Sequence, residues 1–216
     1  MDYLRAKDYI LNKLQNELDN RLYYHNLEHT LEVLEASIWI AKMENINGED
    51  LLLLKTAALY HDSGYLFKYK GHERASMQIV RKILPEYGYK YSDIKKINEL
   101  ILATEMPQNP RSHMAAILCD ADLDYIGGNN FIENGNKLLK EFLAYGIVND
   151  PNSWDTIQMN FLQSHKFHTK TSNLVREIIK QQNLRKVRQA LLIEPELTKQ
   201  RIILPISHSQ RVQPYF

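Results

Sequence analysis

The sequence contains a single cysteine, Cys119, among its 216 residues. One thiol cannot form an internal disulfide, and it cannot build a closed zinc site made of several cysteines. A cytoplasmic location is therefore expected, and any metal in this protein has to be held by histidine and carboxylate side chains.

The chain also lacks long apolar runs and an excess of either charge. No apolar stretch approaches the ~18 residues of a membrane span, and the first eight residues are too polar for a signal peptide. The 27 Lys and Arg residues balance the 26 Asp and Glu residues, so no bulk basic charge indicates nucleic-acid binding. We expect no membrane partner and no nucleic-acid site, while a homo-oligomer is left open.

Strand-like alternation is almost absent, whereas apolar residues recur at helical spacing. The segment 51–59 is apolar nearly all round, which predicts a buried central helix ending at His61 and Asp62. Further helices are predicted near 72–84, 92–105, 113–121, 131–145, 153–168 and 173–192. This pattern indicates an all-α fold with one domain over 1–192. A tail over 193–216 is expected to be extended and able to dock on a neighbour.

Two histidines and two aspartates can supply the ligands of a divalent metal. They are His29, His61, Asp62 and Asp122. Neutral imidazoles and carboxylates both suit divalent ions, and four protein ligands on an octahedral metal leave positions for water and substrate. His25 precedes His29 by four residues, so the two face the same way on a helix or its first turn. Taken singly, each residue could instead be a core histidine, a loop cap or a solvated acid, and Asp120 is the alternative to Asp122.

Three ordered elements carry a family resemblance: Tyr24-His25-Asn26-Leu27-Glu28-His29-Thr30, His61-Asp62 and Ala121-Asp122-Leu123. They are similar to the pattern of the HD-domain metal-dependent phosphohydrolase superfamily. The resemblance covers about residues 20–127 and implies an HD-type helical bundle with a helical C-terminal extension. It also implies the metal ligands His29, His61, Asp62 and Asp122.

By the same resemblance, the protein is an enzyme that hydrolyses a phosphate monoester or diester of a nucleotide or a small phosphorylated metabolite. A metal-bound hydroxide would attack phosphorus. His25 matches the general-acid histidine of the cyclic-nucleotide phosphodiesterases in this superfamily. The metal is left open among Mn, Fe, Mg, Zn, Co and Ni. The alternatives are a non-catalytic metal-binding or ligand-binding module and a dinuclear iron oxygenase.

Further residues near these elements are candidates for binding substrate or a second ion. His72 could be a second-metal ligand or a substrate contact, although Thr104 stands where members with two metals usually add a histidine. Four basic residues flank the two histidine-containing elements and are predicted to bind phosphate: Arg21, Lys68, Lys70 and Arg74. An ordinary solvated surface is the alternative interpretation of these four.

Overall fold

The protein is built from helices. The computed structural model describes residues 1–203, with side chains through residue 192, and in that range it contains no β-strand. The nine α-helices of the described range are α1 (Tyr3–Glu17), α2 (Leu27–Met43), α3 (Gly48–Tyr60), α4 (His72–Ile83), α5 (Tyr91–Ala103), α6 (His113–Asp122), α7 (Phe131–Ala144), α8 (Trp154–Ser164) and α9 (Lys170–Ile203). Short 3₁₀ helices lie at Ser63–Leu66, Leu84–Tyr87, Asp124–Gly127 and Pro151–Ser153. The all-α prediction is confirmed.

The start of α2 is fixed by a side-chain cap. Asn26 Oδ1 accepts hydrogen bonds from the backbone N–H groups of Glu28 and His29, at 2.9 and 3.2 Å. These N–H groups have no partner inside the helix, so the cap stabilises the first turn. His29 is therefore held in that first turn, with His25 just outside the helix.

Helix α3 runs through the main hydrophobic core, as its apolar sequence predicts. Its buried residues pack among α1, α2, α5 and α6, which contribute Ile10, Ile40, Ile97 and Leu118 to the same core. The helix ends at Tyr60, whose hydroxyl donates to the backbone oxygen of Ala6 at 2.8 Å. His61 and Asp62, which follow the helix, therefore lie in the interior of the protein.

The C-terminal helices form a second, smaller hydrophobic cluster. It consists of Ile126, Phe131, Leu162, Phe167, Leu184 and Val187. Helix α8 ends at Ser164, earlier than the predicted 168, and α9 continues to Ile203, past the predicted end at 192. Pro195 lies within this range. The rest of the predicted tail lies outside the described residues.

None of the helices in the described range is both long enough and apolar enough to cross a bilayer.

The buried carboxylate of Asp120 explains why α8 stops early. It accepts hydrogen bonds from the backbone N–H groups of His168 and Thr169, both at 2.8 Å, and from the Thr169 hydroxyl at 2.7 Å. These bonds hold the segment 165–169 in a non-helical conformation against α6. Asp120 therefore ties the start of α9 to the helix that carries Asp122.

We expect Asp120→Ala to lower the free energy of unfolding by about 2–4 kcal/mol, because it leaves buried donors without an acceptor. Urea denaturation followed by circular dichroism measures this difference. Asp8→Ala is the matched control, since Asp8 is exposed and should change stability by less than about 0.5 kcal/mol. Equal urea midpoints for Asp120→Ala and the wild type would contradict the assigned role.

Candidate metal centre

Three helix ends bring imidazoles and carboxylates to one point. His29 comes from the first turn of α2, His61 and Asp62 directly follow α3, and Asp122 is the last residue of α6. Among the described residues, one ligand atom each from His29, His61 and Asp122 lies within 4.8 Å of the others. The Oδ2 atom of Asp62 lies 3.5 Å from His29 Nε2 and 3.4 Å from His61 Nε2. The four residues predicted as ligands are therefore adjacent in space.

Three atoms of this cluster are buried without a hydrogen-bond partner among the described residues: His29 Nε2, His61 Nε2 and Asp62 Oδ2. An unsatisfied buried polar atom costs about 1–3 kcal/mol, so three of them at one point are unfavourable unless something else binds there. A divalent cation accepts electron pairs from both imidazole nitrogen and carboxylate oxygen. The donor set therefore fits a divalent metal.

The second ring nitrogen of His61 fixes which atom can bind a metal. His61 Nδ1 lies 2.7 Å from the backbone oxygen of Ala58, which can only accept, so Nδ1 carries the proton. In the neutral ring this leaves the lone pair on Nε2, the atom that faces Asp62 and Asp122. Metal-binding histidines in proteins are commonly oriented by such a bond.

The charges of the cluster keep both carboxyl groups ionised. Burial would raise the pKa of Asp62 and Asp122, but the neighbouring imidazoles outweigh it, lowering the pKa of Asp122 to about 2 and that of Asp62 well below its usual value. Burial would also lower the pKa of His61, yet the two carboxylates raise it to about 9. Binding of a cation to His61 therefore releases a proton near neutral pH.

His25 lies beside the cluster and is held by a residue that the sequence did not indicate. Its Nδ1 is 2.5 Å from Glu141 Oε1, and its backbone N–H donates to Glu141 Oε2 at 3.0 Å. The same carboxylate accepts from the backbone N–H of Tyr24 and from the Tyr69 hydroxyl, both at 2.9 Å. Burial would raise the pKa of Glu141, but the bonds from His25 lower it, so the carboxylate stays charged.

Nothing in the sequence indicates that Glu141 belongs to this site. It lies between Lys140 and Phe142 in the amphipathic helix α7, where a glutamate usually belongs to the solvated face. The structure buries it completely and places it 116 residues away from its partner His25. Such a long-range pairing cannot be inferred from local spacing.

His72 lies on the other side of Asp62. Its Nε2 is 3.2 Å from Asp62 Oδ1 and 3.4 Å from Glu73 Oε1. The ring of Tyr65 stacks on His72 at 3.9 Å between centroids and on His25 at 4.8 Å. Burial would lower the pKa of His72, but the bond to Asp62 raises it. The residue is thus placed next to a predicted ligand, as a substrate contact or second-metal ligand would be.

A cavity of about 510 Å³ opens beside this cluster. Its polar lining includes residues of the cluster, namely His25, Asp62, His72, Glu73 and Asp122. Helices α7 and α8 and the loop between them contribute apolar and aromatic residues to the lining, namely Leu138, Phe142, Ile147, Trp154, Ile157 and Phe161. A smaller cavity of about 280 Å³ also contacts His29 and Asp122 but not His25. The larger cavity is therefore the one in which His25 could meet a ligand.

The four predicted phosphate-binding residues are not brought together. Lys70 lines the 510 Å³ cavity. Arg21 is paired with Asp19 and, like Lys68, lines a different cavity, of about 490 Å³. Arg74 donates to Glu105 at 2.9 Å on the protein surface. Among these four cationic side chains, Lys70 alone contacts the cavity that contains His25.

The three clustered aspartates have three different environments. Asp122 joins the histidines, Asp120 binds the backbone at 168 and 169, and Asp124 accepts from Arg176 Nε at 2.7 Å. Of the two alternatives that the sequence left open, Asp122 has the position of a ligand. Asp120 is fully engaged elsewhere.

Residues 26–124 match the HD domain family model. This segment, a little under half of the chain, is therefore similar to HD domains, and the resemblance seen in the sequence is confirmed there. The chain is also 31% identical, over 97 residues, to an uncharacterised protein of Clostridium beijerinckii. This alignment covers 44% of the present chain and spans 61% of the length of that relative.

Two solved structures resemble the whole helical arrangement. Both are of Bacillus subtilis YpgQ, one in complex with ADP. The TM-scores are 0.61 for the ADP complex and 0.59 for the other, with sequence identities of 23% and 22%. In each case 88% of this chain and 97% of the other chain are covered. The likeness therefore extends beyond the HD match and concerns the fold.

We expect Asp122→Ala to weaken Mn²⁺ binding more than about 100-fold. Loss of a residue that only hydrogen-bonds to a metal ligand already weakens binding ~10–100-fold, and the loss of a direct ligand should weaken it more. Asp124→Ala should change it far less, since Asp124 is paired with Arg176. Calorimetric titration with Mn²⁺, together with elemental analysis after dialysis, compares the two variants. Equal losses, or a larger loss from Asp120→Ala, would show that the wrong aspartate has been chosen.

Proposed function

We propose that this protein is a metal-dependent phosphohydrolase that cleaves a phosphate monoester or diester of a nucleotide or small phosphorylated metabolite. The observation that carries the proposal is the convergence of three buried nitrogen and oxygen atoms, without partners among residues 1–192, beside a cavity that also contains His25. The proposed ligands are His29, His61, Asp62 and Asp122. When bound, a divalent cation supplies a Lewis acid that activates water and neutralises charge on a phosphoryl oxygen.

The donor set does not select one metal. Two imidazoles and two carboxylates suit Mn, Fe, Mg, Zn, Co and Ni to different extents, and cellular supply contributes as much as ligand type. The carboxyl groups of Asp62 and Asp122 stay ionised, so their two negative charges balance the two positive charges of a divalent cation. We therefore propose a divalent cation and do not assign the element.

His25 is proposed to protonate the oxygen of the leaving group. Glu141 accepts from His25 Nδ1, which fixes the orientation of the ring. The remaining nitrogen, Nε2, is then the proton donor available to a ligand in the cavity. Tyr69, whose pKa is raised by burial and by Glu141, stays protonated and keeps donating to that carboxylate.

The cavity supports a phosphorylated organic substrate rather than free phosphate. Its lining combines the polar side chains of His25 and His72 and the positive charge of Lys70 with apolar and aromatic residues of α7 and α8. Bacillus subtilis YpgQ, which shares the fold, was crystallised with ADP, and this supports a nucleotide as one class of ligand. We propose that residues 1–192 act as one domain, because α7 and α8 complete a site that the HD segment begins. A cytoplasmic location stays a prediction from the single cysteine.

The proposed activity is tested by assaying the full chain, loaded with Mn²⁺, against phosphate monoesters and diesters with and without a chelator. We expect inorganic phosphate or a phosphomonoester to appear, and the activity to disappear with the chelator and in Asp62→Ala. Hydrolysis that survives the loss of metal would refute the mechanism. Full metal occupancy with no turnover of any ester would support a non-catalytic binding module instead.

We expect His25→Ala to retain metal but to lower turnover of an alkyl phosphate by ~10²–10⁴-fold, the usual range for a lost general acid. The deficit should shrink for p-nitrophenyl phosphate, because a nitrophenolate leaves without a proton. Glu141→Gln, which keeps the shape but removes the charge, should show the same dependence on the leaving group to a smaller degree. Steady-state kinetics on both substrates and elemental analysis provide the comparison. The role would be refuted by an equal loss on both substrates.

A further inference from the structure

The 510 Å³ cavity is too large for a phosphoryl group alone. Its volume falls in the ~300–1,000 Å³ range of sites that enclose whole organic ligands. Part of its lining is formed by α7, α8 and their connection, all outside the segment 26–124 that matches the HD family. We call this part the distal compartment, defined by Leu138, Phe142, Ile147, Trp154, Ile157, Gln158 and Phe161. The HD family match therefore says nothing about its chemistry, which has to be judged from these side chains.

Aromatic rings provide flat apolar surfaces in the distal compartment. The rings of Phe142 and Trp154 meet edge to face, with centroids 5.9 Å apart and an interplanar angle of 88°. Phe161 contributes a third ring to the same wall. None of the residues that line the compartment is charged, so it suits a neutral planar group rather than a second phosphate.

Gln158 supplies the polar group of this compartment. No described residue forms a hydrogen bond with its side-chain amide, although it lines the cavity. An amide offers a donor and an acceptor side by side, which is the arrangement that pairs with the edge of a nucleobase.

Gly135 leaves room for that amide. A Cβ atom at position 135 would lie 2.4 Å from Gln158 Nε2, far closer than such atoms approach one another. Gly135 is buried inside α7, where glycine destabilises a helix relative to alanine. The residue therefore weakens its helix while allowing Gln158 to occupy its position beside the cavity.

We propose that the distal compartment binds the nucleobase of a nucleotide, with the aromatic rings against its face and the Gln158 amide against its polar edge. This inference rests on the proposed function for the placement of the phosphoryl group, and it narrows the substrate from any phosphorylated metabolite to a nucleotide. Gln158 is then a specificity-determining residue, because it contacts the part of the substrate that does not react.

Binding can be followed through Trp154 by stopped-flow mixing, before hydrolysis changes the ligand. The chain has two tryptophans, and Trp39→Phe leaves Trp154 as the sole one. In this background, loaded with Mn²⁺, adenosine 5′-monophosphate should quench the fluorescence in a saturable way. Ribose 5-phosphate, which has the same sugar and phosphate but no base, should bind more weakly and quench less. Equal affinity and equal quenching by the two ligands would overturn the proposal.

We expect Gln158→Ala to weaken binding of adenosine 5′-monophosphate roughly tenfold, as for a lost hydrogen-bonding group, and to leave ribose 5-phosphate unchanged. Gly135→Ala should act in the same direction by displacing the amide. Gln163→Ala, on the exposed side of α8, is the matched control and should change neither ligand. A base-independent effect of Gln158→Ala would count against base recognition.

The two proposals fail in different ways. If adenosine 5′-monophosphate binds as described but no ester is hydrolysed, the compartment is correct and the enzymatic proposal is wrong. If esters are hydrolysed with no preference for a base and Gln158→Ala changes nothing, the enzymatic proposal stands and the compartment is overturned.

Discussion

The structure depends on the burial of two imidazoles and two carboxylates at one point among packed helices. In the part of the chain that the structure describes, three of their atoms have no hydrogen-bond partner, although His61, Asp62 and His29 are almost entirely removed from solvent. Leaving such groups unsatisfied is unfavourable, and the neighbouring charges compensate only in part. A bound divalent cation would satisfy all of them together. The central role that we assign to a metal follows from this imbalance more than from any sequence pattern.

Buried carboxylates also connect the HD segment to the helices that follow it. Asp120 binds the backbone at 168 and 169, and Glu141 binds both the backbone and the ring of His25. Each of these bonds joins parts of the chain that are more than 40 residues apart. The position of His25 beside the cluster is therefore set by α7, outside the family match. A change in the C-terminal helices could alter the chemistry of the site without touching a metal ligand.

The sequence predicted the helices and the metal cluster because both have local signals. The apolar run of α3 ends at His61, and the motif around His29 contains its own cap in Asn26. Helix ends were predicted less well: α8 stops at Ser164 because Asp120 binds the next segment, an interaction across 48 residues. The role of Glu141 was not predicted because its partner His25 is 116 residues away. The structure also does not bring together the four basic residues predicted to bind phosphate, Arg21, Lys68, Lys70 and Arg74. A basic residue near a motif in sequence need not lie near it in space, since partners such as Asp19 and Glu105 compete for it.

The most direct test is a crystal structure of the protein grown with Mn²⁺, with diffraction data collected at the manganese absorption edge. We expect one anomalous peak in contact with His29 Nε2, His61 Nε2 and the carboxylates of Asp62 and Asp122. A second peak beside His72 would indicate a dinuclear site and would leave the first assignment intact. The absence of a peak at the four residues in fully loaded protein, or a peak bound by Asp120 in place of Asp122, would contradict the account.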